Sequence, residues 1–136
     1  GHRRKSRELA LQVLYQMEMS GSDPKAVLAL FWKGVEAAED IRDFAVSLVE
    51  GVWRNRKEVD ELIERHSTHW KLGRMAVVDR NILRLAVYEL LYLHEVPKSV
   101  TLNEAIEIAK KYGTEDSGSF TNGVLDNIAK EVRKEP

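Results

Sequence analysis

The chain has 136 residues, of which 43% are hydrophobic and 32% are charged, and its formal net charge is −1. These proportions are typical of one ordinary globular domain and exclude a fibrous or highly charged chain. The lack of cysteine excludes disulfide bonds, cysteine-based zinc sites and thiol catalysis, and we expect a cytoplasmic protein.

Hydrophobic residues recur at the spacing of amphipathic helices along the first half of the chain. The first predicted helix carries a stripe from Leu9 to Met17 and ends at the turn cluster Ser20–Ser22. Asp23 and Pro24 then supply an N-cap and a first helical residue for a second helix. We expect the inward face of that helix to be Ala26, Val27, Leu30 and Phe31. A third helix begins near Asp40 and buries Ile41, Phe44, Ala45, Leu48, Val49 and Val52.

A capping-box pattern at Asn55 and Glu58 predicts the start of a fourth helix. Its expected stripe is Val59, Leu62, Ile63 and His66. The irregular stretch 67–76 follows, and its apolar side chains predict a packed connection rather than a loose linker; they are Trp70, Leu72 and Met75.

The most apolar stretch of the chain, residues 77–93, predicts a central helix that is buried on most of its sides. One face consists of Leu83, Ala86, Val87, Leu90 and Leu91. A second face carries Ile82, Leu85 and Leu93. At about 17 residues with interrupting charges, the stretch is shorter than the roughly 20 residues that cross a bilayer, so we expect no membrane segment. The proline ring of Pro97 forces the helix to end before it.

Two more helices complete the predicted fold. A capping box at Thr101 and Glu104 predicts the start of the sixth helix, and Gly113 predicts a left-handed C-cap at its end. The expected stripe is Leu102, Ala105, Ile106, Ala109 and Tyr112. The last helix begins between Asp116 and Ser119 and buries Phe120, Val124, Leu125, Ile128 and Val132. Gly123 costs about 1 kcal/mol relative to alanine inside that helix, so we expect a close helix crossing or a ligand backbone there.

No segment alternates apolar and polar residues as a strand would. We therefore predict an all-α fold of seven helices in a single domain over residues 1–136.

The basic cluster Arg3, Arg4, Lys5 and Arg7 is the strongest functional signal. Cations at a helix N-terminus oppose the helix dipole and repel one another, so folding gains nothing obvious from four of them. An anion would offset both penalties, and arginine suits phosphate oxygens. The residues alone leave two interpretations open, a phosphate-binding surface and a solvated end that aids solubility.

The segment 113–123 is the second candidate site. It is polar and turn-rich, and its one aromatic residue, Phe120, lies near a helix start. Backbone N–H groups at such a start can bind an anion, and an aromatic ring can stack on a base. The residues alone favour the competing interpretation, an interhelical loop whose phenylalanine belongs to the core.

No catalytic or metal site is predicted. His66 and His69 lie three residues apart, but the chain offers no cysteine and no obvious third ligand. No nucleophile elbow, P-loop or dinucleotide-binding glycine pattern occurs. The acidic residues Glu36, Glu39, Asp40 and Asp43 are typical of a solvated helix boundary. We therefore expect no enzyme activity, no cofactor and no small-molecule substrate.

Four segments, in order, resemble the transcription antitermination factor NusB family. They are Arg3–Tyr15, Val78–Leu90, Val100–Lys110 and Phe120–Asp126. Each segment alone is a weak match, but the four with this spacing are highly specific, and the resemblance extends from Arg3 to Val132. It implies two perpendicular helical subdomains, helices 1–3 over about 3–54 and helices 4–7 over about 55–133.

The resemblance also implies a function. Members of the family bind the boxA element of ribosomal RNA leader transcripts together with NusE, a small-subunit ribosomal protein, and so help RNA polymerase to resist termination. The implied RNA contacts are Arg3, Arg4, Lys5, Arg7, Asp116, Ser117 and Phe120. The implied NusE-facing residues are Tyr15 and Asp79.

Two departures from the family pattern bear on these residues. Ser119 stands where the family often has lysine, so one phosphate contact is missing, and Asp79 is one carbon shorter than the glutamate of some members. Two other functions remain open. The chain also resembles the N-terminal domain of certain ribosomal RNA cytosine methyltransferases, although it lacks cysteine. The other hypothesis is a protein-interaction scaffold without RNA binding.

Overall fold

The computed structural model describes residues 1–67 and 71–134, and these residues form seven α-helices and one 3-10 helix, with no strand among them. The α-helices are α1 (His2–Ser20), α2 (Pro24–Gly34), α3 (Glu39–Arg54), α4 (Arg56–His66), α5 (Val77–Tyr92), α6 (Lys98–Tyr112) and α7 (Ser117–Val132), and the 3-10 helix is Leu72–Arg74. The predicted all-α class and helix number are confirmed. No helix in the described ranges is long and apolar enough to cross a membrane.

The turn between α1 and α2 follows the predicted residues. Gly21 ends α1 in the left-handed conformation, with φ of 70°, and its amide donates to the Met17 carbonyl at 2.9 Å. The Asp23 carboxylate accepts from the Ala26 amide at 3.1 Å, and Pro24 is the first residue of α2. The buried face of α2 differs from the expected one, because Leu28 is buried whereas Leu30 is 68% exposed.

Helix α5 is the centre of the core, as its sequence predicted. It packs against α1, α3, α4, α6 and α7. Its fully buried side chains include Leu83, Val87 and Leu90. The 3-10 helix and its flank close one end of the core through Leu72 and Met75, so these two residues form the packed connection expected before α5. The third expected contributor, Trp70, lies outside the described residues.

A close contact between α3 and α5 depends on Gly51. A Cβ built on Gly51 would lie only 2.1 Å from the ring of Tyr88, so only glycine leaves room for that ring. The expected close contact at Gly123 is wrong, since a Cβ there would meet no atom within 4 Å.

Both predicted capping boxes are wrong, although the helices exist. The Asn55 side-chain amide donates to the Gly51 carbonyl at 2.8 Å and so ends α3, rather than capping α4. Helix α6 begins at Lys98, one turn before the predicted cap, because Pro97 is its N-cap residue and its carbonyl accepts from the Thr101 amide at 3.2 Å. Thr101 is therefore inside α6 and buried.

The end of α6 also differs from its prediction. Gly113 has φ of −94° and ψ of −160°, so it is not a left-handed cap. Its missing side chain serves a close approach instead, because a Cβ there would lie 2.3 Å from Ser117 Oγ. Tyr112 is 37% exposed, and Ile108 takes the expected place in the core.

Helices α1, α2 and α3 contact one another, and α5, α6 and α7 contact one another, with α4 packed on α5 and α7. The contacts of α5 with α1 and α3, and of α3 with α4, join the two groups. The perpendicular arrangement of two subdomains stays a prediction.

Candidate nucleic-acid interface

The basic cluster occupies the first two turns of α1, and its four side chains differ in their exposure and in their partners. Arg3 and Lys5 are exposed. The Arg3 guanidinium lies over the ring of Phe44 in α3, 3.7 Å from the ring centroid. Neither Arg3 nor Lys5 forms an ion pair with any described carboxylate. These two cations are therefore available to an anionic partner.

Arg7 lies inside the protein instead. Its Nε and one terminal nitrogen each donate to an oxygen of Glu89 in α5 at 2.8 Å, and the side chains are 6% and 2% exposed. Its other terminal nitrogen lies 3.3 Å from Glu104 in α6. Burial lowers the pKa of Arg7, but the hydrogen bonds and charges of Glu89 and Glu104 outweigh it and leave the pKa raised. Arg7 therefore fastens α1 to α5 and α6.

Arg4 stands between these two situations. Its guanidinium donates to both carboxylate oxygens of Glu104, and the distance from Nε to one of them is 3.0 Å. The Arg4 side chain is 40% exposed. The hydrogen bond from Arg4 is the main cause of a lowered pKa at Glu104. Arg4 can therefore bind a phosphate group from solution only if the phosphate shares the guanidinium with Glu104 or replaces Glu104.

These pairs correct the expectation that folding gains nothing from the basic cluster. Two of its four cations are paired with carboxylates from distant helices. Glu8 adds a related link, since it is 6% exposed and accepts from Lys111 Nζ at 3.0 Å. Along α6, Glu104 thus meets Arg4 and Lys111 meets Glu8, so side-chain ion pairs link α6 to the first half of α1 at two points.

The second predicted region starts where α6 ends. Ser117 is 1% exposed, and its hydroxyl accepts from the Thr114 amide at 2.9 Å and donates to Asp79 Oδ1 at 2.7 Å. Phe120 is half-buried and packs against the hydrophobic core. It therefore combines both interpretations drawn from the sequence, since one part of the ring supports the core and the other remains accessible.

A cavity of about 340 Å³ lies in front of Phe120. Its wall includes Arg74, Asp79, Thr114, Asp116, Ser117 and Phe120. The three predicted RNA-contact residues of the second region therefore line one cavity. Asp79, predicted to face the protein partner, lines it too, so the two predicted surfaces meet at the hydrogen bond between Ser117 and Asp79.

Tyr15, the other residue predicted to face a partner, is 42% exposed on α1. Its exposed neighbours are Met19 at 56% and Leu30 at 68%. Together with Val27 these side chains line a shallow groove between α1 and α2. The tyrosine is thus accessible, as a contact residue must be.

A polar network around Glu18 was not among the predicted features. The Glu18 carboxylate accepts from Arg80 Nε at 2.8 Å, from an Arg84 terminal nitrogen at 2.6 Å and from the Asn81 amide at 3.0 Å. Arg84 also donates to Asp60 at 2.9 Å. The hydrogen bond from Arg80 is the largest of the causes that hold the pKa of Glu18 at about 2. The signal was present in the sequence, since Arg84 is a charge within the most apolar helix.

A larger cavity, of about 480 Å³, lies beside this network. Three arginines line it: Arg80 and Arg84 already donate to carboxylates, and Arg56 donates to the Trp53 carbonyl and lies over the Trp53 ring. We therefore regard it as a structural cavity rather than an anion site.

The described residues contain no cluster of three or more metal-ligating side chains. His66 pairs with Glu131 at 2.8 Å, and the second histidine of the weighed pair, His69, lies outside the described residues. The acidic residues at the start of α3 are exposed, as expected; they are Glu36, Glu39, Asp40 and Asp43.

Comparison with known proteins gives consistent matches along the chain. The model of the NusB family matches residues 4–130. The transcription antitermination protein NusB of Anaeromyxobacter dehalogenans is 53% identical over 128 residues, which cover 93% of this chain and 89% of that protein. The protein of the same name from Desulforapulum autotrophicum is 49% identical over 130 residues, with 94% and 91% covered.

Solved structures agree with these sequence matches. A crystal form of T. maritima NusB has a TM-score of 0.88 and 42% identity, with 97% of this chain and 94% of that chain covered. A chain from a crystal structure of the antitermination factors NusB and NusE in complex with double-stranded RNA has a TM-score of 0.84 and 32% identity, with 96% and 97% covered. The similarity extends over nearly the whole of each chain.

Proposed function

This chain belongs to the NusB family, and from that premise we propose that it binds the boxA element of ribosomal RNA leader transcripts together with NusE. In this proposal it acts in the bacterial cytoplasm as an adaptor that helps RNA polymerase to resist termination. The membership confirms the resemblance found in four sequence segments. The named relatives are transcription antitermination proteins, not enzymes.

The main support is the solved complex in which a 32% identical relative of the same fold is crystallised with NusE and double-stranded RNA. The alternative functions have less support. This chain covers 89% or more of the two relatives compared above, so the helical domain makes up nearly the whole of each, unlike a methyltransferase with an added catalytic domain. The unpaired cations Arg3 and Lys5 disfavour a scaffold that does not bind RNA.

We propose that RNA meets two regions that α6 connects. Arg3 and Lys5 supply free positive charge at the start of α1, and Arg4 joins them when a phosphate competes with Glu104. Asp116, Ser117 and Phe120 line the cavity at the other end of α6. We assign Arg7 a positioning role, because direct phosphate contact would require breaking its buried pair with Glu89.

The proposed partner contacts start from Tyr15 and Asp79. Tyrosine offers contact area together with a hydroxyl group, and a carboxylate can pair with an arginine of NusE. The Ser117 hydroxyl holds Asp79 through Oδ1, which fixes the carboxylate at the edge of the RNA cavity. NusE bound there would extend the RNA-binding surface.

The first test measures binding of a single-stranded boxA RNA by fluorescence anisotropy over a range of salt concentrations. If Arg3 and Lys5 each neutralise one phosphate, replacing both by alanine should flatten the slope of log affinity against log salt by about 1.4, since each phosphate on a single strand contributes about 0.7. The matched control replaces Lys25 and Lys33, two exposed lysines of α2. An unchanged slope in the Arg3/Lys5 variant would place the RNA elsewhere.

Phe120→Ala tests the second region independently of charge. Loss of one base stacked on the ring should weaken binding by about 1–3 kcal/mol without changing the salt slope. Thermal unfolding of the same variant provides the control. A loss of folding stability with full RNA affinity would mean that the ring serves only the core.

The third test adds purified NusE. We expect tighter binding of boxA RNA with NusE than without it, and weaker binding of a scrambled strand. Asp79→Lys should reduce the effect of NusE, whereas Ser117→Ala, which removes the same hydrogen bond without reversing charge, should reduce it less. No association with NusE at micromolar concentrations would refute the adaptor function.

A further inference from the structure

The stretch 114–122, which carries Phe120, contains two acidic residues and no basic one. An RNA strand whose base stacks on Phe120 would therefore meet negative charge from Glu115 and Asp116, and a nearby cation must compensate. Ser119 offers none, since it is exposed and its hydroxyl donates to the Asp116 carbonyl at 3.2 Å.

The structure brings a cation to this place from another part of the chain. Arg74 ends the 3-10 helix before α5 and lines the cavity of Phe120. It is exposed, and it forms no ion pair with any carboxylate in the described ranges. Sequence spacing could not connect Arg74 with Phe120, and the residue was not among the predicted contacts.

We propose that Arg74 binds a phosphate of the RNA and that the cavity beside it holds the neighbouring unpaired base against Phe120. This inference rests on the proposed RNA binding and adds a residue to it. Arginine is suited to the role because its fork of N–H groups can bond two phosphate oxygens at once.

The charges in the cavity decide which part of the nucleotide enters it. Asp79 and Asp116 both line the wall, so a phosphate inside would be repelled by two carboxylates. A base has no charge, and its amino groups can donate to a carboxylate. The base therefore enters and the phosphate stays at the rim, where Arg74 is exposed.

Lys110 is the main competing cation near the start of α7. A Cβ on Gly118 would lie 3.2 Å from Lys110 Cγ, so the lysine stem passes over this helix start. Its ammonium group, however, lies 3.4 Å from Glu107, and Lys110 does not line the cavity wall. Arg74 is the one cation among the described residues that line the cavity.

The test compares Arg74→Ala with Lys71→Ala, which removes an exposed lysine next to the same 3-10 helix but outside the cavity wall. Arg74→Ala should bind single-stranded boxA RNA roughly tenfold more weakly, the loss of about one charge-assisted hydrogen bond. Its salt slope should fall by about 0.7. Arg74→Lys should keep the slope, and Lys71→Ala should match the unchanged protein. Thermal unfolding should be the same for all of these exposed variants.

A double variant tests whether the two side chains serve one nucleotide. The double variant Arg74→Ala with Phe120→Ala should lose less RNA affinity than the product of the two single fold-losses. The reason is that the second change acts on a nucleotide that the first has already released.

Three results would overturn the inference. The first is equal RNA affinity for Arg74→Ala and Lys71→Ala. The second is that Lys110→Ala shows the expected loss of RNA affinity and Arg74→Ala does not. The third is an Arg74→Ala variant that loses NusE binding in the absence of RNA and keeps its RNA affinity, since Arg74 would then contact protein. Failure of the unchanged protein to bind RNA would instead refute the proposed function itself.

Discussion

Replacement of Arg7 by alanine separates structural charge from functional charge within the basic cluster. The change removes the guanidinium that donates to both oxygens of Glu89. The Glu89 side chain is 2% exposed, so water cannot replace those bonds. Among the described residues its remaining partner is the Thr101 hydroxyl at 3.4 Å, a long and weak hydrogen bond.

The expected cost is large because a buried carboxylate loses its counter-ion. Removing one partner of a buried ion pair typically costs about 3–5 kcal/mol. A domain of this kind has a total stability of about 5–15 kcal/mol, so the variant would retain only part of its stability. Removing both charges costs less, so Arg7→Met combined with Glu89→Leu should recover most of the loss.

Urea unfolding followed by circular dichroism measures these free energies. Lys5→Ala is the matched control, because it removes a cation two residues away that is exposed and unpaired, and it should change stability by no more than about 0.5 kcal/mol. Its effect should appear in RNA binding instead. A loss below about 1 kcal/mol for Arg7→Ala would refute the reasoning, since Arg7 would then contribute little to folding.

Three further predictions, made with four substitutions, test other parts of the fold. The pKa of Glu18 in the folded protein is about 2, against an ordinary 4.5. A lowered carboxyl pKa stabilises the fold only where the group is ionised. The free energy of unfolding of the unchanged protein should therefore exceed that of Glu18→Gln by about 2–3 kcal/mol above pH 4.5, and the difference should disappear as the pH falls towards 2. Urea unfolding at several pH values checks it, and a difference that does not depend on pH would contradict it. Gly51→Ala should destabilise by about 1–3 kcal/mol through overlap with Tyr88, whereas Gly123→Ala, in open space on α7, should stabilise by about 1 kcal/mol. Equal effects of the two alanines in thermal unfolding would contradict the assigned packing. Leu90→Ala, at a fully buried site, should cost about 2–5 kcal/mol, and a loss below about 1 kcal/mol in the same assay would mean that this face of α5 is not enclosed.

The helices could be predicted because the pattern that specifies them is local. A stripe of apolar side chains repeats within each helix, and the turn at Gly21 and the cap at Asp23 are formed by residues next to them in sequence. The same logic failed where a side chain has a distant alternative. Thr101 reaches towards Glu89 in α5 rather than capping α6, and Glu104 bonds Arg4 rather than a backbone amide.

The predicted contact residues were correctly seen as unusual, but the sequence could not divide them by role. Arg3, Arg4, Lys5 and Arg7 look equivalent as a run of positive charge. Their roles differ because successive residues of a helix point about 100° apart. Arg7 consequently faces the carboxylates of α5 and α6, while Lys5 faces solvent.

The same geometry connects the stability of this fold to its proposed function. Without a counter-ion, burial of the Arg7 guanidinium would destabilise the packing of α1 on the core. Glu89 alone would likewise be an unpaired buried charge in α5. Because each neutralises the other, α1 is held firmly on α5, and the exposed cations Arg3 and Lys5 are presented from a fixed helix rather than a frayed end. A ligand that binds a fixed surface need not order it, so less binding free energy is lost. Arg7→Ala should therefore lose RNA affinity together with helix order at the start of α1, whereas Lys5→Ala should lose RNA affinity alone. Hydrogen exchange of the α1 amides, measured beside RNA binding, would distinguish the two variants. Equal protection of these amides in both variants would show that the buried pair does not support the binding surface.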